Sequence, residues 1–184
     1  GGIVKKNQLE ELHIDYRRIL DFVEKGDLIR IKSGYYTIRI GDYSEDELIA
    51  KLFPDAVLTM ECALYVYGYI KRKPYGYQVA VDKNTSKSRF KLEFPKVTPF
   101  YAEPETLQFG VDSIDFGNAK MQIFDKDRLI CECLKYEDKM ERTVFKEGVL
   151  SYIKDEKKDV AKLMKYARER RVVKKVQSMI GVWL

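Results

Sequence analysis

Apolar residues near the N-terminus follow the spacing of an amphipathic helix. Four of them repeat at helical intervals: Tyr16, Ile19, Leu20 and Val23. The preceding residues predict where this helix begins, because Asp15 can cap it and Ile14 can pack on Ile19 as a hydrophobic staple. Gly26 predicts its end, in the left-handed conformation that glycine favours. We expect the four apolar residues to face inward.

The elements around this helix form a recognisable series. Residues 3–12 predict a short lead-in and a helix with Leu9 and Leu12 facing inward, and a tight connection at 13–15 follows. Two short strands surround the turn Ser33-Gly34 and predict a hairpin: Leu28–Lys32 and Tyr35–Ile38. A helix, a turn, a capped helix and a hairpin, in this order, are typical of a winged helix-turn-helix, which binds DNA.

A different pattern follows the linker Arg39–Tyr43. Ser44 and Glu47 form a capping box for a helix that stops before Pro54, and a second helix, capped by Thr59, runs to Gly68. Alternating apolar residues then predict five strands: Tyr77–Val81, Phe90–Phe94, Val97–Tyr101, Gln108–Ile114 and Ala119–Phe124, the last pair joined by Gly117-Asn118. Four helices complete the chain: Arg128–Tyr136, Arg142–Ile153, Asp159–Arg170 and Val172–Leu184.

These patterns predict an α+β protein with two domains. Residues 1–43 form a winged helix-turn-helix, and residues 44–184 form a larger domain of mixed sheet and helices that ends in a helical bundle. The chain has 184 residues and is 45% hydrophobic, which suits a soluble globular protein. No apolar run approaches a membrane span and no signal region is visible, so we expect a cytoplasmic protein without a membrane partner.

Few residues suit catalysis or metal binding. Cys62, Cys131 and Cys133 lack a second cluster that would complete a zinc site, and we interpret them as buried apolar residues. His13 is the only histidine and has no nucleophile motif nearby. Phosphate-loop, dinucleotide and metalloprotease motifs are absent. We therefore expect no enzyme and no cofactor.

Positive charge is concentrated away from the N-terminal motif. The net charge of +5 includes +6 in residues 71–96 and +6 in 154–184, whereas residues 1–42 carry only +1. Such basic blocks attract phosphate, or they are simply a solvated face.

Four stretches, in order along nearly the whole chain, resemble AbiEi-type antitoxins. They are Gly2–Ile38, the segment TMECALYVYGY from Thr59, FDKDRLICECLKY from Phe124, and KLMKYARERRVVKKV from Lys162. The sequence departs from the family in two places, since His13 stands where glycine is usual and Lys5 where a capping Ser or Thr is usual. A winged helix normally also has a helix before its first short strand, and the sequence given begins at Gly1-Gly2 without one.

The resemblance implies a function in phage defence. It implies an antitoxin of a type IV toxin-antitoxin, abortive-infection system that represses its own operon by binding inverted repeats in promoter DNA. It also implies a nucleotidyltransferase-like toxin as functional partner, opposed without a stable complex.

The candidate DNA-binding residues lie on the second helix and its flanks. Arg17 and Arg18 face outward near the helix start and suit base readout, because arginine can donate two hydrogen bonds to guanine. Tyr16 either contacts phosphate or packs. The remaining candidates for backbone contact are Lys6 and Asn7 on the first helix and Lys32 and Ser33 at the wing tip. Acidic residues on the second helix weaken its attraction for DNA.

A second basic surface is expected near the C-terminus, for additional phosphate contacts or for the antitoxin role. Its residues are Lys158, Lys162, Lys165, Arg168, Arg171, Lys174 and Lys175. The Lys71-Arg72-Lys73 cluster before Pro74 is an alternative on a loop. Two other functions stay open: a DNA-binding regulator whose second domain senses a ligand or partner, and a nuclease or nucleotidyltransferase, for which no carboxylate pair has a diagnostic spacing.

Overall fold

Residues 2–38, 44–93 and 95–181 are described by the computed structural model, and they form eight α-helices and two β-sheets. The protein is therefore a mixed α and β structure, as the sequence predicts. The predicted linker Arg39–Tyr43 lies outside the described residues.

The N-terminal elements fold around a three-stranded antiparallel sheet. In chain order they are β1 (Ile3–Lys5), α1 (Lys6–Glu11), α2 (Tyr16–Glu24), β2 (Ile29–Lys32) and β3 (Tyr35–Thr37). The strands are arranged β1-β3-β2, so β3 is central. A small core lies between this sheet and the two helices: Leu9, Ile19, Leu28 and Tyr36. The helix, turn, helix and hairpin follow the predicted order, and β1 was not predicted.

Local signals place α2 correctly but overestimate its buried face. The Asp15 carboxylate accepts a hydrogen bond from the backbone N–H of Arg18, and Gly26 is left-handed with φ +80°. Ile19 is fully buried, whereas Tyr16 and Leu20 are 45% and 43% exposed, so their predicted inward position is wrong. The small sheet and the six-residue α1 cover only one side of α2. The predicted inward position of Leu12 is also wrong, because Leu12 follows the last residue of α1 and is exposed.

The larger part of the chain contains a five-stranded sheet. Before it comes α3 (Glu45–Leu52), and α4 (Met60–Val66) lies between its first two strands. The strands are β4 (Val57–Leu58), β5 (Tyr77–Asp82), β6 (Val97–Ala102), β7 (Val111–Phe116) and β8 (Ala119–Phe124). They are arranged β6-β5-β4-β8-β7, with β5–β6 and β4–β8 parallel and the other pairs antiparallel. The two-residue β4 was missed, although it is the central strand.

Two predicted strands need correction. Residues 87–90 form a 3-10 helix and 91–93 are not strand, so a strand at Phe90–Phe94 is wrong over the described residues; Phe94 itself lies outside them. An apolar residue stands at position 90 because the Phe90 ring is buried and stacks on Phe53, with 5.3 Å between the ring centroids. The strand predicted from Gln108 begins at Val111, since Gly110 is left-handed and interrupts the extended backbone.

Four helices follow the sheet: α5 (Lys126–Lys135), α6 (Arg142–Lys154), α7 (Val160–Arg170) and α8 (Val173–Met179). Asp159 caps α7, and its N–H donates to Asp127 at the start of α5, 3.0 Å away. Arg170 at the end of α7 donates to Glu132, so α5 and α7 run in the same direction. Val160 is exposed, contrary to prediction. The last helix ends earlier than predicted, and residues 182–184 lie outside the described part.

The larger core extends to the N-terminal sheet. Ile31 on β2 is buried within it, and the backbone N–H of Glu93 donates to the Ile31 carbonyl, 3.1 Å away. One edge of the small sheet is therefore joined to the larger part of the protein. None of the helices in the described residues is both long and apolar enough to cross a membrane.

Candidate nucleic-acid interface

The start of α2 presents two arginines to solvent. Arg17 and Arg18 directly follow Tyr16, the first residue of the helix, and both are exposed. Neither takes part in an ion pair within the described residues. The guanidinium carbon of Arg18 lies 6.0 Å from the centroid of the Phe22 ring. Full burial of Ile19 fixes the rotation of the helix, and this rotation keeps both guanidinium groups outside.

The acidic residue that follows these arginines on α2 is already paired. Lys25 follows Asp21 by one helical turn, and its ammonium lies 2.7 Å from the Asp21 carboxylate. This pair reduces the repulsion that Asp21 would exert on a nucleic-acid phosphate. The start of the helix therefore keeps a local excess of positive charge at Arg17 and Arg18.

Lys6 and Tyr16 join the starts of α1 and α2. The Lys6 ammonium lies 4.9 Å from the centroid of the Tyr16 ring and 3.2 Å from the Glu10 carboxylate. Asn7 is exposed next to Lys6 on α1. The structure thus brings Lys6 next to Tyr16, while Tyr16 precedes Arg17 and Arg18 directly. These predicted residues form one surface, which we call the α2 face: Lys6, Asn7, Tyr16, Arg17 and Arg18.

Lys32 faces a different environment. Its ammonium lies 4.4 Å from the Tyr35 ring centroid and 5.7 Å from that of Phe53, at the junction with the larger core. Burial, and then the neighbouring cations Arg89 and Lys5, lower the pKa of Lys32. Ser33 at the hairpin turn is exposed. Of the two predicted wing residues, Ser33 is thus the more accessible.

The predicted C-terminal basic surface contains two kinds of cation. Lys158 donates to the Asp155 carbonyl at 3.3 Å, and Lys175 donates to the Leu134 carbonyl at 2.7 Å and to Glu137 at 2.8 Å. These two lysines stabilise helix ends. The others are exposed and form no ion pair within the described residues, and we call them the C-terminal basic face: Lys162, Lys165, Arg168, Arg171 and Lys174.

Lys135 adjoins this face and was missed by sequence reasoning. It lies in the last turn of α5, and burial together with the positive charges of Arg170 and Arg171 lowers its pKa. Its position at the end of a helix was visible in the sequence, but its proximity to α7 depends on the parallel packing of α5 and α7. Positive charge therefore accumulates where these two helices end.

The cysteines have the buried positions that their isolation suggested. Burial raises the pKa of Cys62 and that of Cys131 to about 12, and raises that of Cys133 as well. These thiols are therefore protonated at neutral pH and are poor nucleophiles. Across 2–38, 44–93 and 95–181, no group of three or more His, Cys, Asp or Glu side chains is arranged to hold a metal ion.

The chain matches no protein-family model, and no curated protein is significantly similar to it.

Proposed function

We propose that this protein is an antitoxin and a transcriptional repressor that binds promoter DNA through the α2 face. The observation that carries the proposal is the pair of exposed arginines, Arg17 and Arg18, at the capped start of α2. Supporting it, β1, α1, α2 and the β2–β3 hairpin follow one another as in a winged helix-turn-helix, with α2 in the place of the recognition helix. Residues 1–43 would then be the DNA-binding domain.

In this arrangement base readout and backbone contacts have separate residues. Arg17 and Arg18 can each donate two hydrogen bonds to guanine in the major groove. Lys6, Asn7 and Ser33 contact phosphates, which position the protein but carry no sequence information. The hydroxyl of Tyr16 is available for a phosphate, since its ring is held by Lys6 and remains partly exposed.

Residues 44–184 serve the antitoxin role in this proposal. They oppose a nucleotidyltransferase-like toxin in the cytoplasm, without a stable complex, as part of an abortive-infection system. The C-terminal basic face supplies phosphate contacts in addition to those of the α2 face. Repression at inverted repeats requires one copy of the protein for each half-site, because a symmetric operator binds a symmetric pair of recognition helices.

The test compares the variant Arg17→Ala/Arg18→Ala with wild type on two duplexes at fixed salt. One duplex is the promoter region of the protein's own operon, and the other has the same composition in scrambled order. Removing each base contact should cost about 1–3 kcal/mol on the promoter and little on the scrambled duplex. The control is Lys87→Ala/Lys91→Ala, which removes two exposed cations elsewhere. Equal decreases in affinity on both duplexes would refute base readout.

A groove favours one alternative, a DNA-binding regulator that senses a ligand. The groove has a volume of about 590 Å³ and is lined by α6, by the segment before α6 and by Met179 of α8. Its apolar lining includes Phe145, Val149, Leu150, Ile153 and Met179. Growth of cells that express the adjacent toxin gene separates the two functions: protection by this protein supports the antitoxin, and toxicity unchanged by it supports the sensor.

A further inference from the structure

A second cleft, outside the α2 face, combines positive charge with an exposed aromatic ring. It has a volume of about 300 Å³ and lies between the loop after α4 and the segment before β6. Arg72, Lys73 and Tyr75 line it on one side and Lys96 on the other, and Glu45 is the only carboxylate among the described residues of its lining. Three cations and one anion give the cleft an excess of positive charge.

Backbone contacts fix the two walls of the cleft relative to each other. Gly76 has φ +87°, and a Cβ there would lie 2.6 Å from the carbonyl oxygen of Lys96. The N–H of Tyr77 donates to the same oxygen at 2.8 Å. At the other end of the loop, the N–H of Lys71 donates to Glu147 at 3.2 Å. Glycine at position 76 is therefore required by close approach, and the cleft is formed before any ligand binds.

Tyr75 is the most exposed large side chain with apolar character in the described residues, at 83%. The hydrogen bonds of Lys71 on one side and of Tyr77 on the other hold the loop that carries this ring. An exposed aromatic ring contributes nothing to a core. It is suited to stacking on a planar ligand, as in proteins that bind single-stranded nucleic acid.

Local carboxylates neutralise the cations only in part. The Lys73 ammonium is 3.8 Å from Asp46, but that carboxylate also accepts a hydrogen bond from the hydroxyl of Tyr77 at 2.5 Å. The charge of Arg72 acts on the Glu61 carboxylate and lowers its pKa. Burial of Glu61 and the charge of Glu141 outweigh this effect, so the pKa of Glu61 is raised overall. Lys96 forms no ion pair within the described part of the chain. Arg72 also forms none there, so both Lys96 and Arg72 are available to an anionic ligand.

We propose that this cleft binds an unpaired nucleotide, with the base stacked on Tyr75 and the phosphate held by Lys96, Arg72 and Lys73. The volume matches the lower end of small-ligand sites, which suits one nucleotide. Duplex DNA does not fit this chemistry, because its bases are stacked on each other and unavailable to the ring. The nucleotide is either free or part of a single strand. This site is separate from the proposed promoter-binding function and does not depend on it.

The two sources are distinguished by two probes on the full chain. Fluorescence anisotropy measures the affinity for a labelled twelve-nucleotide deoxyadenosine strand, and calorimetry measures that for adenosine monophosphate, with ribose 5-phosphate as the probe without a base. Both use the Arg17→Ala/Arg18→Ala background, which removes the two base-reading arginines, and the remaining phosphate contacts of the α2 face are the same in every variant compared. We expect Tyr75→Ala to weaken binding about tenfold or more and Tyr75→Phe to preserve it, because phenylalanine keeps the stacking surface.

Charge variants test the phosphate contact. Lys96→Ala should weaken strand binding and flatten its dependence on salt by about 0.7 in the logarithmic slope. Lys120→Ala, a 70% exposed lysine on β8, should leave both unchanged. Binding of the strand but not of the mononucleotide would identify a single strand as the ligand, and comparable binding of the mononucleotide a free nucleotide. Absence of binding by both probes, equal binding of ribose 5-phosphate, or affinity unchanged in Tyr75→Ala would overturn the proposal.

Discussion

The backbone N–H of Ile14 donates a hydrogen bond to the carbonyl oxygen of Leu9 across the turn between α1 and α2, at 3.0 Å. Between them, the N–H of His13 donates to Glu10 at 2.9 Å, and His13 is left-handed with φ +60°. This pair of bonds is the Schellman motif, whose left-handed residue is usually glycine. The turn therefore has the geometry of a glycine turn but carries a histidine.

We predict that His13→Gly stabilises the protein by about 1 kcal/mol, because glycine removes the Cβ that disfavours the left-handed conformation. Urea unfolding followed by circular dichroism measures the change. The matched control is Gly26→Ala at the end of α2, where φ is +80° and a Cβ would meet nothing within 4 Å. That substitution should destabilise by a similar amount. A destabilised His13→Gly variant would mean that the imidazole makes a compensating interaction.

The buried ion cluster between α5 and α7 gives a second prediction. The Glu132 carboxylate accepts from Arg128 at 2.8 Å and from Arg170 at 2.5 and 2.8 Å, and all three side chains are buried. Glu132→Gln leaves two buried guanidinium groups without a counter-charge, so we expect a decrease of about 3–5 kcal/mol in unfolding free energy.

Asp115→Asn is the control for this measurement, since Asp115 pairs with Lys120 where both side chains are at least 70% exposed. A surface pair contributes at most about 1 kcal/mol. Similar decreases in the two variants would show that the buried cluster contributes no more than a surface pair.

A third prediction concerns pH. Lys126 and the Tyr69 hydroxyl both donate to the Asp155 carboxylate, at 2.6 and 2.5 Å, and they lower its pKa to about 2. The stabilisation is therefore fully present above the unfolded pKa of about 4 and disappears as pH falls towards 2. We expect the difference in stability between wild type and Asp155→Asn to be constant from pH 7 to 5. It should shrink below pH 4 in urea titrations at each pH; a difference independent of pH would contradict the assignment.

The C-terminal basic face is tested by the salt dependence of DNA binding. Lys162→Ala/Lys165→Ala/Arg168→Ala should lower affinity about equally for promoter and scrambled duplexes, because phosphate contacts are not sequence-specific. The logarithmic salt slope should flatten by roughly one unit for each phosphate that is no longer neutralised. Unchanged affinity and slope would make this face a solvated surface. Lys175→Ala is a useful comparison, since its ammonium caps α5 and its removal should reduce stability instead.

Much of the local structure followed from the sequence. Asp15 and Ser44 cap the helices that follow them and Gly26 ends α2, as predicted, and Asp159 caps α7 in the same way. The predicted cap of α4 is wrong, because the side chain of Thr59 accepts no hydrogen bond from the start of that helix. These effects act between residues a few positions apart, so a sequence pattern contains all the participants. The exposure of Arg17 and Arg18 followed in the same way, from the helical period of α2.

Tertiary structure alone decided what depends on distant residues. The two-residue β4 is central because β5 and β8, far away in the sequence, pair with it on both sides. Lys32 lies against Phe53 instead of extending freely from the hairpin. The cleft at Tyr75 exists because Gly76 packs against Lys96, twenty residues later. Burial and strand pairing depend on which surfaces meet in three dimensions, and short-range patterns do not specify those contacts.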